Sequence, residues 1–290
     1  VQRRQMSTIE ADNVFALRIN GTFDDCQDLV KQAFIQRDFL KPDQYLLAVN
    51  SINWTRIVGQ ICYYFFAYNR LVNHEKLNFS IPTGNFGNVF ACYSAFKMGL
   101  PIKTISVAVN DNDILHRFFA SNDYSKKQVH ETISPSMDIS VASNFERLVY
   151  DFFLDRSTAK CAELFNNFPN QGIELDEAIW NKKNDLFSSS SVDDAATQAI
   201  IQSINNEHRY LLDPHTAVAM QEAIEASSST DHYVVLATAH PAKFPDIYKK
   251  AAIDLSETPR ALKGLYDKTE HLHHFEANYD EITSFINSRN

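Results

Sequence analysis

The sequence predicts an α/β protein built on mainly parallel, twisted sheets flanked by helices, and three observations predict it. Short runs rich in β-branched and aromatic residues alternate with longer segments of helical period, which is the pattern of βαβ units. Residues 77–109 hold one whole unit of strand, turn, helix and strand, in the roughly 30 residues such a crossover takes. With 44% hydrophobic and 22% charged residues over 290 positions, the chain can bury the core of one large domain or two modest ones.

The elements follow in order. "VFALRI" (14–19) reads as a strand, "TFDDCQDLVKQAF" (22–34) as a helix capped by Thr22, and "YLLAVN" (45–50) as a second strand. "WTRIVGQICYYFFAYNRL" (54–71) is a long helix, apolar on most sides and therefore expected to be buried. "LNFSIP" (77–82) is a strand; a glycine-bearing turn leads to a helix at 88–98, closed by Gly99 in the left-handed region and by Pro101, and "TISVAV" (104–109) completes the unit. Further helices are predicted at 144–154, 192–209 and 216–226, with Ser191 and Asp194 placed as a capping-box variant for the second. A strand "YVVLAT" (233–238) and a helix from about 241 follow, while the serine runs 188–191 and 227–229 read as loops.

Charge and cysteine usage exclude several functions. A net charge of −9 speaks against nucleic acid or an anionic membrane as partner, since both need a basic footprint. Cys26, Cys62, Cys92 and Cys161 lie far apart with no C-x-x-C pair, so neither a zinc knuckle nor a disulfide framework is indicated, and a reducing, cytoplasmic setting fits. "VQRRQM" is not a signal peptide, and no apolar run is long enough to span a bilayer. "EHLHHFE" (270–276) offers three histidines but no fourth metal ligand, and a solvated strand or loop is expected there. No G-x-S-x-G or H-E-x-x-H motif is present, leaving serine-hydrolase and zinc-protease chemistry without support.

The turn "IPTGNFGNVF" (81–90) carries the strongest chemical signal. The chain has only seven glycines, against an average usage of about 7%, and two of them, Gly84 and Gly87, stand three apart between a strand and a helix. Successive N–H groups of Gly84, Asn85, Phe86, Gly87 and Asn88 would converge at the positive end of the helix dipole, an anion cradle. Glycine would allow φ > 0 and keep Cβ atoms away from a bound oxygen. The alternative is a plain strand–helix turn with a glycine cap. The spacing matches neither a P-loop nor the G-x-G-x-x-G dinucleotide fingerprint. Asn50, Ser51 and Arg56 form a second candidate group, two short polar residues after a strand and a guanidinium one turn later; an N-cap with a solvated arginine is the alternative. Thr238 stands at the carboxyl end of a strand, where ligands of open α/β sheets sit, or else caps the helix after it. Asn144 is expected as the N-cap of a helix containing Glu146 and Arg147, with Asp138 just before it. Ser134 and His215 are read as either pocket-lining or structural.

"IPTGNFGNVFACYSAFKMGLPI", "NDNDILHRFF", "ISPSMDISVASNFERL", "LLDPHTAVA" and "LATAHPAKF", in this order, resemble threonine synthases of the long, fungal and bacterial type. "NGTFDDCQDLV" and "AVNSINWTRI" fit the same family, so the likeness runs over nearly the whole chain. It implies a pyridoxal-phosphate enzyme of fold type II, like the tryptophan synthase β chain. Residues 1–50 would be the remainder of a smaller N-terminal-side α/β domain and 51–290 the large C-terminal one. The implied reaction converts O-phosphohomoserine and water to L-threonine and phosphate, the last step of threonine biosynthesis. By the same resemblance, Gly84–Asn88 grips the phosphate of pyridoxal 5'-phosphate and Thr238 meets its pyridine nitrogen. Asn50, Ser51 and Arg56, with Asn85 nearby, hold the substrate phosphate. The Schiff-base lysine of this family lies in an "FKD"-like motif expected upstream of Val1. Lys97 and Lys243 lack that context and are rejected, so the chain reads as the C-terminal portion of a longer enzyme, which the missing initiator Met agrees with. Another fold type II lyase and a lysine-free scaffold are the competing readings.

Overall fold

The computed structural model describes residues 1–21, 23–71, 76–168, 170–228, 232–255 and 259–289, without the side chains at 23 and 24; the expected Thr22 cap, and Ser229 of the second serine run, lie outside the described residues. In chain order the elements are α1 (Gln2–Ser7), β1 (Leu17–Asn20), α2 (Phe23–Gln36), α3 (Trp54–Arg70), β2 (Leu77–Pro82), α4 (Gly87–Lys97), β3 (Ile102–Val109), α5 (Ile114–Ser121) and α6 (Phe145–Leu148). Then come α7 (Thr158–Asn167), α8 (Glu177–Trp180), β4 (Phe187–Ser191), α9 (Asp194–His208), α10 (Pro214–Ala226), β5 (Tyr233–Val235), α11 (Pro245–Lys250), β6 (His273–Glu276) and α12 (Tyr279–Arg289). The chain divides into two units, Val1–Ala48 with Leu255–Asn290, and Val49–Asp254. Residues 255–290, expected within the second domain, group with the first instead, because β6 pairs with β1.

In the first unit β1 and β6 run parallel, from Leu17 beside His273 to Asn20 beside Glu276. Both strands alternate half-buried with exposed positions, so one face packs and the other meets water. The Phe285 ring of α12 lies 5.9 Å from Phe15 and 5.2 Å from Phe275. His273 and His274 of "EHLHHFE" are neighbours in β6, the first half-buried and the second exposed.

The second unit holds an all-parallel sheet in the order β4–β3–β2–β5. β2 is buried at every position, as a strand covered on both faces must be. Alternate residues meet different helices: the Phe79 ring lies 5.1 Å from Tyr64 of α3, while Ser80 donates to the Ala219 carbonyl of α10 at 2.8 Å. On the α10 side Ser80, Ser106 and Ser188 stand abreast on β2, β3 and β4, with Ser106 and Ser188 hydroxyls 2.7 Å apart.

Glu222 of α10 enters this polar seam at 3% exposure. Burial pushes its carboxyl pKa up, against the opposing pull of the nearby Ser80 and Ser106 hydroxyls. A raised folded pKa means that stability is fully present below the unfolded value near 4.5 and is lost as pH rises through the folded value. Glu222→Gln should therefore gain on the wild type as pH rises from 4 to 8, at a slope of at most about 1.4 kcal/mol per pH unit. Thermal melts at several pH values check this; a pH-independent difference would remove the buried acid from the account.

Five expectations change on folding. Residues 45–50 form no strand: Tyr45, Leu47 and Val49 alternate as a strand would, but they are 89%, 77% and 70% exposed, and no strand among the described residues pairs with them. α3 buries only Ile57, Ile61 and Tyr64, while Trp54, Val58, Tyr63 and Phe66 face solvent. The serine run 188–191 is strand and not loop, because it pairs with β3, and three of its four hydroxyls also find partners: Ser188 with Ser106, Ser189 with His116 Nδ1 at 3.0 Å, and Ser191 with the Asn110 carbonyl at 2.9 Å. The helix expected at 144–154 is α6 continued by a π-turn, Val149–Phe153, with both Val149 and Phe153 buried. α9 is capped by Asp193, which accepts the Ala196 N–H at 2.7 Å. Asp194 instead accepts the Ile133 N–H at 3.2 Å, so the 191/194 box does not form.

Candidate active site

The site begins where β2 ends, at the carboxyl edge of the sheet, the usual ligand position of open α/β folds. Thr83 closes the strand, donating its N–H to the Ala108 carbonyl at 2.8 Å and its hydroxyl to the Ile81 carbonyl at 2.6 Å. The chain then turns into α4, an eleven-residue helix with Phe86 at its N-cap. Among the described residues the N–H groups of Phe86, Gly87 and Asn88 meet no protein acceptor, as the first turn of a helix leaves them. They point with the positive end of the dipole, and an anion is what that geometry takes.

The left-handed residue of this turn is Phe86, at φ +66°, and neither Gly84 nor Gly87 has positive φ. The positive φ expected of the glycines is thereby corrected. Phe86 tolerates the left-handed conformation because its ring is locked in the core, 1% exposed, stacked on Phe119 and edge-on to Phe145 at 5.4 Å. Gly84 is needed for close approach: a Cβ there would lie 2.6 Å from the Ser136 carbonyl oxygen. At Gly87 a Cβ would meet Gln60 Oε1 at 3.2 Å and Ser51 Cβ at 3.3 Å.

Two polar networks hold the walls. The loop 132–138 is fixed from β3: Asn110 donates to Thr132 Oγ1 at 2.7 Å, Asp138 Oδ1 at 2.8 Å and Ser134 Oγ at 3.0 Å. Ser134 is thus a structural residue, 1% exposed. On the other side stands Asn144, wholly buried. Its Nδ2 donates to the Asn85 carbonyl at 3.0 Å and to Ser51 Oγ at 3.2 Å, while its Oδ1 accepts from Arg147 at 3.0 Å. Asn144 occupies the N-cap position of α6, but its side chain makes no capping bond; it is a bridge between segments.

The structure therefore brings Ser51, Asn85 and Gly87 together. Asn50 is exposed and accepts the Ile52 N–H at 3.1 Å. Arg56, also exposed, donates to the Val49 carbonyl at 2.6 Å, one of five available N–H donors. The N-cap of α3 is neither Asn50 nor Ser51 but Asn53, which accepts the Thr55 N–H at 2.9 Å. Thr238 lies beyond β5, which ends at Val235 and not at 238; it is exposed, and its N–H meets Thr216 Oγ1 at 3.3 Å. It caps nothing, since His240 is the N-cap of the short turn Pro241–Lys243 that precedes α11. Lys97 is exposed in the last turn of α4, roughly 15 Å along the helix axis from the cradle. Sequence reasoning missed Asp213, Thr216, Asn110 and Ser143. The first was signalled by Asp213-Pro214, an N-cap followed by proline at N1, which starts α10 at 214 instead of 216.

Residues 2–163 match the family model described as "Pyridoxal-phosphate dependent enzyme", more than half of the chain. The chain belongs to the pyridoxal-phosphate dependent enzyme family. Within this family the likeness is to threonine synthases: residues 216–286 match the model "Threonine synthase, C-terminal". The threonine synthase of Pseudomonas aeruginosa is 46% identical over 274 residues, which cover 93% of this chain and 58% of that one. That of Saccharomyces cerevisiae is 39% identical, covering 87% and 53%. The crystal structure of pyridoxal-phosphate-bound threonine synthase from Brucella melitensis superposes with a TM-score of 0.89 at 40% identity, covering 99% of this chain and 62% of that one. This member of the pyridoxal-phosphate dependent family thus spans little more than half the length of the curated relatives it matches.

Proposed function

We propose that this chain is the larger part of a threonine synthase, converting O-phosphohomoserine and water to L-threonine and phosphate with pyridoxal 5'-phosphate, in the cytoplasm. The observation that carries the reading is the row of acceptor-free N–H groups at Phe86, Gly87 and Asn88, at a helix start with glycines on either side of Phe86. A phosphate monoester fits that cradle in charge and in donor geometry, and the Gly84 position leaves no space for a side chain between turn and loop. When bound, pyridoxal phosphate supplies an electron sink for carbanion chemistry beside an amine-bearing carbon. Gly84, Asn85, Phe86, Gly87 and Asn88 would hold its phosphate through backbone donors. Thr238 would offer a hydroxyl to the ring nitrogen, a weaker partner than a carboxylate. Asn50, Ser51, Arg56 and Asn85 would bind the substrate phosphate and orient its leaving oxygen. Lys97 and Lys243 have no part in this assignment, so residues 1–290 alone are expected to form no covalent bond with the cofactor and to make no threonine.

Arg56→Ala, in the full-length enzyme, should lower kcat/KM for O-phosphohomoserine about 10- to 100-fold, the loss of one charge-assisted hydrogen bond of about 1.5–3 kcal/mol. Pyridoxal phosphate affinity should stay unchanged. Steady-state kinetics with a parallel cofactor titration measure both. An unaltered kcat/KM would take Arg56 out of the substrate site and favour a lyase whose substrate carries no phosphate.

A further inference from the structure

Asp213 opens α10 and is 2% exposed. Its Oδ1 accepts the N–H groups of His215 and Thr216, at 3.0 and 3.3 Å. That is ordinary capping and needs no more than one oxygen. The carboxylate does two further things that capping does not require. Oδ1 also accepts from His215 Nδ1, at 3.1 Å, and Oδ2 accepts the Thr216 hydroxyl.

Each of these bonds continues to a different wall of the cradle. His215 Nε2 lies 3.1 Å from the Ser136 backbone nitrogen, whose N–H it accepts. A ring nitrogen that accepts carries no proton, so the imidazole proton is on Nδ1, the tautomer that Asp213 selects. Ser136 is the residue whose carbonyl abuts Gly84. On the other branch, the Thr216 hydroxyl spends its one proton on Asp213. Its oxygen is thereby free to accept the Thr238 N–H at 3.3 Å. His215 and Thr216 are both buried, at 4% and 3% exposure, so water does not substitute for either bond. Burial by itself would raise the Asp213 pKa; the hydrogen bonds from His215 and Thr216 prevail and hold it below the usual carboxylate range, consistent with a carboxylate that stays charged and accepting.

We propose that Asp213 is a positioning residue that sets both walls of the cofactor site at once, orienting the Ser136 loop over the phosphate end through His215 and Thr238 at the ring end through Thr216. The inference rests on the cofactor assignment above. It assigns Asp213 no contact with the cofactor or the substrate.

The test uses the full-length holoenzyme loaded with pyridoxal phosphate and two spectroscopic readouts: the phosphorus-31 resonance for the phosphate end, and the visible circular-dichroism band for the ring. Asp213→Ser retains a helix cap but is too short to reach both branches; it should move both signals and weaken pyridoxal phosphate binding roughly tenfold. Thr216→Val should move the visible band alone, and His215→Phe the phosphorus resonance alone. Thr216→Ser and His215→Gln, which restore the hydroxyl and an acceptor at the Nε2 position, should return each signal toward wild type. If Asp213→Ser does not fold, the two single-branch variants decide the matter. Wild-type signals in a folded Asp213→Ser protein, or movement of both signals in either single-branch variant, overturns the proposal. A wild-type protein with no visible band would overturn the cofactor assignment together with it.

Discussion

Gly84→Ala should weaken pyridoxal phosphate binding at least tenfold in a protein that still folds, and it should do so more severely than Gly87→Ala. The ranking follows from what each new methyl group would meet. At Gly84 it would lie 2.6 Å from the Ser136 carbonyl oxygen and 3.3 Å from Met137 Cα. Both are backbone, in a loop that Asn110, Asp138 and His215 hold in place. Nothing there can rotate away, so loop and turn must separate, and overpacking of this kind costs about 1–3 kcal/mol. At Gly87 the nearest atom is Gln60 Oε1, at 3.2 Å, the end of a flexible amide that can yield. The branched Gly87→Val would still displace Ser51 and Ile57, and it should lose the cofactor as well. Fluorescence titration with pyridoxal phosphate, alongside far-ultraviolet circular dichroism, ranks the variants; equal affinity for wild type and Gly84→Ala would make the turn a mere connection.

Asn144→Ala should cost about 3 kcal/mol of stability, since it removes at once three hydrogen bonds that a wholly buried side chain makes to half-buried partners, each worth about 1 kcal/mol. The Asn85 carbonyl would lose one of two donors and keep the backbone N–H of residue 144 at 3.1 Å. Ser51 Oγ and Arg147 Nε would lose the partners they have at 3.2 and 3.0 Å. The variant should also resemble Arg56→Ala in its kinetics, because Ser51 is no longer tied to the turn. Urea unfolding measures the first effect, with an unchanged m-value as the control. A loss under about 1 kcal/mol would show that water replaces the side chain and that Asn144 is no keystone.

The unit β2–α4–β3 was legible because its signals are local. A short strand rich in large apolar residues, a helix that ends in Gly99 at φ +97° and a second strand rich in β-branched residues each announce themselves within a few residues. The strand–turn–helix geometry of the candidate cradle was legible for the same reason, although Gly84 serves close approach to Ser136, Gly87 packs near Gln60 and Ser51, and neither supplies positive φ. What stayed hidden depends on residues distant in sequence. β4 is a run of serines whose strand character comes from pairing with β3, Ile105 beside Phe187 through Val109 beside Ser191. The α3 sequence is apolar nearly all round, yet only the Ile57–Ile61–Tyr64 stripe is buried, and periodicity cannot say which faces have neighbours. Asn144 looked like a cap because its position is one; its actual bonds reach residues 51 and 85. Asp213 is a similar case, a local cap with long-range consequences.

The pairing of β1 with β6 joins residues 256 apart in the chain, while the intervening Val49–Asp254 forms a unit of its own. During synthesis the two units therefore cannot mature in the order in which their residues first emerge. Residues 17–20 leave the ribosome before residues 273–276 and must wait for them, and loop closure over such a distance follows the folding of what lies between. The second unit can complete its sheet while the first is still half made, and when β6 arrives it closes a long stretch of chain that is already ordered. A chain cut short between the two strands would leave Leu17–Asn20 without the β6 partner, for chaperones and proteases to meet, so the first unit is completed only on a chain translated through residues 273–276.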